Sequence, residues 1–388
     1  MNLISRSLLA ISNYFFGPSP FDKKNFITKL FLIYIFLKIF VVLLLIIILP
    51  SLFGQNYFNY IDFNSYTVHP IIFFDFHSTR VIEGNEFFDI FIYLMNIQSI
   101  SDYRAIGIAV IVTTLRDLIL IGILLKKKIL GPASLLFFVV VLALHPYLGL
   151  YHAKLSTTIF ASLGVALMYY VLINARPQSW FIDLSFIVLS GFRNTFAGIV
   201  IPYYIWEIIR QLIEIKKRGE YLDYYFLKNV VSLVALLFVV LLSGQYMFNF
   251  ITVRTVYSLD IDFFSQYLST SIAVLDTFVA FMLVIFSHLI FLLGFREEAY
   301  TNFPEFFIPF DSMTFLNIFI GIIFFILHGV GFFSFMKSYL SRDKRYLIFI
   351  FILIPTLISV AHLRYFMPFI PLSLIGFSML IDKKINST

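Results

Sequence analysis

Three arginines lie within or beside long apolar runs: Arg116, Arg193 and Arg364. A charged side chain in membrane hydrocarbon is costly unless it is paired or hydrated, so each one marks a candidate functional site. A guanidinium binds phosphate through two parallel hydrogen bonds, and we predict that Arg193 and Arg364 bind a phosphate group at the outer membrane edge. Alternatively, both extend toward lipid phosphates, and Asp117 neutralises Arg116.

A short turn with the sequence Leu-Tyr-His-Ala-Lys-Leu-Ser-Thr-Thr holds His152 and Lys154. Histidine is the side chain best suited to exchange a proton near neutral pH, and lysine offsets the charge of a phosphate. We therefore predict catalytic roles for His152 and His362 and a phosphate-binding role for Lys154. The alternative is a polar turn at the membrane interface. Structural roles in helix packing are predicted for the remaining histidines in or near apolar runs: His145, His288 and His328.

The segment 53–104 is the longest stretch between apolar runs and is dense in ionisable side chains: Asp62, Asp75, His77, Arg80, Glu83, Glu86 and Asp89. A carboxylate in it could take the proton from a sugar hydroxyl, and we predict Asp62 and Asp75 as the catalytic candidates. Arg80 and Arg254 are further predicted phosphate ligands. Alternatively, segment 53–104 is a solvated loop, which would account for its charged residues without a catalytic role. The spacing of Asp260 and Asp262 is common by chance, and we predict neither a metal ion nor a cofactor.

The elements that carry these residues are unusually apolar. Hydrophobic residues make up 60% and charged residues 13% of the 388, and the mean hydropathy is +0.93. A soluble domain carries about 25% charged residues. Runs such as 31–49 and 230–242 are nearly free of charge and approach the roughly 20 residues that an α-helix needs to cross a bilayer. The composition therefore predicts an all-α, polytopic transmembrane helical bundle.

We predict about 10–12 spans, which is the number that helix-length apolar runs allow. The eleven candidate spans are 29–52, 105–125, 129–148, 155–173, 180–192, 194–213, 228–249, 272–294, 313–335, 346–361 and 364–381. Residues 1–388 form a single integral membrane domain, with the long outer loop 53–104 after the first span. Within that loop, 87–97 is predicted to be a short interfacial helix.

Most Lys and Arg residues fall in loops that this arrangement places on one side, which predicts that this side is cytoplasmic and that both termini lie there. An odd number of spans would place the two termini on opposite sides of the membrane. This conflicts with the prediction that both termini are cytoplasmic. The conflict falls within 250–312, where either one segment is re-entrant or one crossing is missing. Pro304 and Pro309 favour an interrupted segment.

Several classes of protein lack support in the sequence. The basic charge lies mainly in loops between spans, so we predict no nucleic-acid partner. Cysteine is absent, which excludes disulfides and thiolate chemistry. The phosphate-binding loop of nucleotide hydrolases, the zinc-protease helix and the nucleophile elbow are also missing from the sequence. The first apolar run has no cleavage site after it and is predicted to remain in the protein.

Three stretches carry a resemblance to bacterial envelope polysaccharide enzymes. The turn Tyr-His-Ala-Lys-Leu-Ser-Thr at 151–157 and Phe-Arg-Asn-Thr-Phe-Ala at 192–197 resemble O-antigen and capsule polymerases of the Wzy and EpsG type. The first span with its acidic outer loop, together with His-Leu-Arg-Tyr-Phe-Met-Pro-Phe-Ile-Pro at 362–371, resembles GT-C membrane glycosyltransferases. The outer loop lacks the Asp-x-Asp of GT-C enzymes, and no large outer loop occurs late in the chain as in typical Wzy proteins.

The resemblance implies an O-antigen or exopolysaccharide polymerase of the bacterial inner membrane. Its substrate would be an oligosaccharide on polyprenyl pyrophosphate, and its partners would be membrane lipids and a candidate chain-length regulator. One alternative is a GT-C transferase that uses a polyprenyl-phosphate sugar. A further alternative is a lipid-oligosaccharide flippase or another transporter, although the paired halves typical of such transporters are not found in the sequence.

Overall fold

The computed structural model describes residues 23–48, 88, 91, 94–97, 103–153, 155–174, 179–218, 224–242, 279, 282, 322–350 and 366–386. Within these residues the chain is 93% helical and has no strand. This confirms the predicted all-α helical bundle. Helices dominate because in hydrocarbon every backbone N–H and C=O must be satisfied within the segment itself.

We number the α-helices of the described residues in chain order. They are α1 (Lys23–Leu43, continued by a π-helical turn Leu44–Ile48), α2 (Tyr103–Lys127), α3 (Pro132–Leu144), α4 (Pro146–Ala153), α5 (Thr157–Asn174), α6 (Trp180–Phe192), α7 (Asn194–Arg218), α8 (Tyr224–Leu242), α9 (Gly331–Leu340, preceded by the π-helical turn Ile326–Val330) and α10 (Ile370–Asn386, preceded by the 3-10 turn Met367–Phe369).

Six helices of the described residues are long and apolar enough to cross a membrane: Phe26–Ile48, Tyr103–Lys127, Thr157–Asn174, Phe196–Lys217, Tyr224–Leu241 and Ile322–Leu340. Each overlaps a span predicted from the sequence. Two further apolar helices, α3 and α6, are too short for a full crossing. The predicted span 272–294, the segment 351–365 and the conflict in span number within 250–312 lie outside the described residues, apart from Val279 and Met282.

The predicted continuous span 129–148 is wrong, because the helix is interrupted between α3 and α4. His145 has an extended ψ of 119° and is followed by Pro146, which restricts the preceding residue to such a conformation. The His145 ring then supports the new helix, since its Nδ1 accepts a hydrogen bond from the Leu148 N–H at 3.3 Å. The result is a broken helix whose second part is only eight residues long.

Basic residues end several helices at one end of the bundle, which we call the Lys-rich end: Lys126, Lys127, Lys216, Lys217, Arg218, Lys383 and Lys384. Contacts between helices show that these ends lie together. The Gly131 N–H, just before α3, donates to Asp382 near the end of α10 at 2.9 Å, and the hydroxyls of Tyr169 and Tyr339 lie 2.6 Å apart near the ends of α5 and α9. The other end of the bundle is called the opposite end.

Helices α9 and α10 cross at very short range through two glycines. A Cβ atom at Gly331 would overlap the Ser373 carbonyl, and one at Gly376 would overlap the Gly331 carbonyl. Small residues at a helix crossing allow backbones to approach closely, which gives membrane helices much of their packing energy. This crossing holds the C-terminal part of the bundle together.

The predicted interfacial helix 87–97 is described at some of its residues. Phe88, Phe91 and Leu94 are helical, and the Met95 N–H donates to the Phe91 carbonyl at 3.0 Å. The Phe88 and Phe91 rings pack against Phe160 on α5 and Phe192 on α6. The ring centroids of Phe160 and Phe192 are 4.4 Å apart, so this pair joins α5 to α6. This aromatic cluster covers the helix junction that carries Arg193.

Candidate functional site

A charged cluster lies buried between α1 and α2. The Lys38 ammonium is 3.2 Å from one Asp117 carboxylate oxygen, and the Arg116 guanidinium is 2.6 Å from the other. Arg116 and Asp117 are fully buried, and Lys38 is 4% exposed. The predicted neutralisation of Arg116 by Asp117 is thus confirmed, but the pair is part of a larger group.

Polar side chains from three helices hold this group in place. The Tyr34 hydroxyl donates to Asp117 at 2.8 Å, and the Lys38 ammonium donates to the Thr113 hydroxyl at 3.0 Å. Arg116 donates to the Ser162 hydroxyl on α5 at 3.3 Å. The spacing of four residues from Tyr34 to Lys38 and from Thr113 to Asp117 places each pair on one helix face. The cluster therefore links α1, α2 and α5.

The cluster contains more positive than negative charge. Lys38 and Arg116 are two cations, whereas Asp117 is the one carboxylate that contacts them among the described residues. A buried cation is stable only when an anion or strong acceptors compensate it. The excess positive charge therefore predicts that an anionic ligand completes the site.

His152, at the end of α4, faces the same cluster. It is fully buried and interacts electrostatically with Lys38, Asp117 and Arg116. The backbone of Ala143 is close enough to interact with the ring, yet neither ring nitrogen makes a hydrogen bond of normal geometry within the described residues. Buried polar atoms without partners are rare in proteins, so each one calls for an explanation. A ligand at the cluster would supply the missing partner.

The cluster lies near the middle of the bundle. Lys38 is twelve residues from Phe26, or about 18 Å along α1, and Arg116 is eleven residues from Lys127, or about 17 Å along α2. Because the hydrocarbon of a bilayer is about 30 Å thick, both positions lie about half a bilayer thickness from the ends of their helices. Ser162 lies nearer to one end of its helix, because it is only five residues, or about 8 Å, from Thr157 at the start of α5.

Arg193 lies in the extended connection between α6 and α7, with φ −151° and ψ 112°. Its Nη1 donates to the hydroxyl of Thr157, the first residue of α5, at 3.1 Å, and the side chain is partly exposed. The neighbouring Ser156 hydroxyl is buried and has no hydrogen-bond partner within the described residues. A guanidinium beside a helix N-terminus is a favourable environment for an anion.

The length of α6 limits how far Arg193 is from the Lys-rich end. Thirteen residues from Trp180 to Phe192 cover about 20 Å, short of the roughly 30 Å of hydrocarbon. With Trp180 at the interface of the Lys-rich end, Arg193 would lie inside the membrane and not at its outer edge. The helix junctions at His145 and Arg193 would both be recessed in this way.

Comparison with protein-family models, with curated proteins and with solved structures found no match. The resemblance to Wzy and EpsG polymerases therefore depends on the two short stretches 151–157 and 192–197. The first stretch contains His152, which lies at the charged cluster, and the second contains Arg193, which lies beside the start of α5.

The remaining residues predicted for the site lie outside the described residues: Asp62, Asp75, Arg80, Lys154, Arg254, His362 and Arg364. Of the predicted set, the structure thus places His152 at the charged cluster and Arg193 at the start of α5. No group of three or more His, Asp or Glu side chains suited to a metal ion occurs among the residues that the structure describes.

Sequence reasoning missed Lys38, which is central to the cluster. The apolar run 31–49 is nearly charge-free, and Lys38 is the exception within it. A lone lysine in the middle of a span was itself the signal, since such a residue is expected to need a partner in another helix. Tyr34, one turn earlier on the same face, and Ser162 gave no comparable signal.

His145 and His328 form a pair at the helix break, with their Nε2 atoms 3.0 Å apart and both rings buried. Because the Nδ1 of His145 accepts from the Leu148 N–H, its proton is assigned to Nε2, which then donates to His328. The structural roles predicted for these two histidines agree with this pairing. His328 belongs to the π-helical turn before α9, so the pair joins that turn to the broken helix.

Two other ion-pair groups differ from the cluster in their charge balance. Asp183 on α6 pairs with Lys228 on α8 at 2.7 Å and accepts from Tyr204 at 2.7 Å. Toward the Lys-rich end, the two cations Arg210 and Arg345 face three carboxylates: Glu207, Glu214 and Asp343. Neither group carries excess positive charge, so these two groups are explained by helix packing.

The second of these groups extends beyond the predicted spans, where Asp343 caps a short 3-10 turn. Partial burial acts to raise the pKa of the Asp343 carboxyl, but hydrogen bonds from the side chain and backbone of Arg345 outweigh it and lower that pKa. Asp343 is therefore charged at neutral pH and holds Arg345 toward Glu207, 3.2 Å away.

Proposed function

We propose that this chain is a membrane-embedded glycosyltransferase that polymerises oligosaccharide units carried on polyprenyl pyrophosphate, at the outer face of the bacterial inner membrane. The observation that carries the proposal is the excess positive charge of the Lys38, Arg116 and Asp117 cluster beside the buried ring of His152, whose nitrogens make no hydrogen bond of normal geometry within the described residues. Such a site suits a reaction that needs both an anion-binding group and a proton acceptor.

The chemistry of polymerisation requires these two functions together. A hydroxyl oxygen of the acceptor unit attacks the anomeric carbon of the donor glycan, and the bond from that carbon to the pyrophosphate oxygen breaks. The leaving polyprenyl pyrophosphate keeps the electron pair and is stabilised by cations. A base takes the hydroxyl proton, and a neutral imidazole with a free nitrogen is suited to that step. We assign the first role to Arg116 and Lys38 and the second to His152.

A lipid-linked substrate fits the surroundings of the cluster. The helices that hold it are apolar, and their exposed faces carry large hydrophobic side chains such as Phe36, Ile39 and Ile111. A water-soluble sugar nucleotide has no apolar part to place there, whereas a polyprenyl chain lies in the bilayer. Arg193, beside the start of α5, is proposed to hold the second phosphate or to guide the headgroup toward the cluster.

A GT-C transferase that adds one sugar would use the same donor chemistry and remains the closest alternative. A flippase or transporter is the second candidate, and one observation favours it. The cluster lies near mid-membrane next to a broken helix, which is the usual arrangement of a transport site. In that case the cluster would bind the headgroup during passage, and His152 would not transfer a proton to or from a sugar.

A gene deletion separates these possibilities. Loss of a polymerase leaves single repeat units on the lipid carrier or on its acceptor, with long chains absent. Loss of a single-sugar transferase leaves long chains that lack one sugar, as shown by mass spectrometry of the released glycan. Intact glycan outside the cell, or lipid-linked units that accumulate only on the cytoplasmic leaflet, would contradict the proposal.

A further inference from the structure

A second feature lies between the level of the charged cluster and the Lys-rich end. An open groove of about 370 Å³ runs between α2, α5 and α6. Its walls include Leu118, Ile123, Leu167 and Ile182, and its lining ends at Lys126 and Lys127 in the last turn of α2. From Leu118 to Lys126 the groove follows about 12 Å of the helix.

The groove owes part of its depth to a glycine. Gly122 is exposed, and a Cβ atom built on it would meet no atom within 4 Å. Glycine in a helix interior costs about 1 kcal/mol relative to alanine, and no close helix contact explains it here. The missing side chain leaves room along α2 between the apolar walls and the lysines.

Positive charge at the mouth is not compensated by any carboxylate of the described residues. Lys126, Lys127 and Lys128 are exposed, and none of them forms an ion pair within the part of the chain that the structure describes. Lysines at the end of a span that also face an apolar channel match a molecule with an acyl chain and an anionic headgroup.

Lys128 adds a separate observation. It directly follows α2 in the left-handed conformation with φ 49°, and its N–H donates to the Leu125 carbonyl while the Ile129 N–H donates to the Leu124 carbonyl. Glycine is the residue that this helix-terminating motif favours. The lysine is present despite a backbone that disfavours a side chain, which adds a third cation at the same level.

We infer that this groove binds an anionic phospholipid, with an acyl chain along Gly122 and the headgroup phosphate at Lys126 and Lys127. The occupant is a phospholipid of the leaflet at the Lys-rich end. Charge complementarity at the mouth selects it over a zwitterionic lipid. The inference is independent of the proposed function, because the groove shares no residue with the charged cluster.

The test uses the purified full-length protein in detergent, titrated with phosphatidylglycerol or phosphatidylcholine and measured by native mass spectrometry. Each lysine near an anionic headgroup is worth about 1 kcal/mol, so Lys126→Gln with Lys127→Gln should reduce the preference for phosphatidylglycerol by about 25-fold. Gly122→Leu should abolish the binding of phosphatidylglycerol in the groove. Gly107→Leu is the matched control, since Gly107 lies on the same helix and also has open space around its Cβ position.

Lys128→Gly separates binding from folding. It removes a cation but suits the left-handed backbone, so the affinity for phosphatidylglycerol should fall by about fivefold while the unfolding temperature holds or rises. Equal binding of the two lipids by the wild type would overturn the inference. So would unchanged phosphatidylglycerol binding in Gly122→Leu, or a photo-crosslinker at residue 122 that captures a second copy of the chain and no lipid.

Discussion

The Lys38 ammonium lies 3.2 Å from the Asp117 carboxylate, although 79 positions separate the two residues in the chain. This contact joins α1 to α2 near the middle of both helices, and it brings a second cation to a carboxylate that Arg116 already neutralises. Asp117→Asn raises this excess of positive charge, and Lys38→Met removes it.

Asp117→Asn should destabilise the protein strongly, because it leaves two buried cations without an anion. Removing one partner of a buried ion pair costs about 3–5 kcal/mol.

Lys38→Met should be tolerated by the fold, since Arg116 and Asp117 remain as a neutral pair, but it should abolish activity. Thermal unfolding in detergent micelles measures the stability of both variants, and chain-length analysis of the glycan measures the activity of Lys38→Met.

Glu214→Gln is the control for these variants, because Glu214 pairs with Arg210 where both side chains are nearly half exposed. An exposed pair is worth less than about 1 kcal/mol. If Asp117→Asn unfolds at the wild-type temperature, the pair is not buried as described. If Lys38→Met retains full activity, the excess cation has no role in binding.

His152 gives a prediction in which stability and activity move apart. Its ring is buried and makes no hydrogen bond of normal geometry to any described residue, so His152→Leu removes an unsatisfied polar group and should keep or raise the unfolding temperature. The same change should lower glycan synthesis at least about 100-fold if the imidazole is the base.

His145→Leu is the matched comparison and should behave in the opposite way. It breaks the hydrogen bond to His328 and the cap on the Leu148 N–H, so the unfolding temperature should fall. A His152→Leu protein that synthesises normal glycan would exclude His152 as the base. A lower unfolding temperature in that variant would instead assign the ring a structural role.

Arg193→Lys keeps the positive charge but loses the planar guanidinium that binds phosphate through two hydrogen bonds. Truncating one partner of a desolvated charged pair costs roughly 2–5 kcal/mol, so activity should fall at least about thirtyfold at a normal protein level. Chain-length analysis of the glycan together with immunoblotting measures both. Wild-type chains from Arg193→Lys would show that the Arg193 guanidinium does not bind the substrate phosphate.

The crossing of α9 and α10 predicts a strong dependence on residue size. Gly331→Ala and Gly376→Ala would each place a methyl group against backbone atoms of the partner helix, so both should lower the unfolding temperature. Gly107→Ala provides the comparison. Its methyl group meets no atom within 4 Å, and alanine favours helix over glycine by about 1 kcal/mol, so it should stabilise the protein. Equal effects at the three positions would argue against the crossing.

Hydropathy predicts the helices well because a span must be long and apolar whatever surrounds it. Helix Tyr103–Lys127, for example, extends the predicted span 105–125 by two residues at each end. The break at His145 is less visible in the sequence, since apolar residues continue on both sides of it. A proline after a polar residue was the local signal, and it was too weak to override the run of hydrophobic residues.

The charged cluster was harder to predict, because it depends on contacts between distant helices. Arg116 and Asp117 are neighbours, and their pairing follows from the sequence. The position of His152 does not, since it depends on how the short helix α4 packs against α1 and α2. Lys38 was predictable as an isolated charge within a span, but its partner became clear only when the helices were placed together.

The most direct test of the account is synthesis by the purified protein. The chain would be reconstituted in liposomes with a polyprenyl-pyrophosphate-linked repeat unit as the sole glycan, and the products would be separated by length. We expect a ladder of chains from the wild type, and from the folded variants Lys38→Met and His152→Leu only the single unit. A wild-type protein that moves the lipid-linked unit across the bilayer without lengthening it, or a ladder unchanged in both variants, would contradict the account.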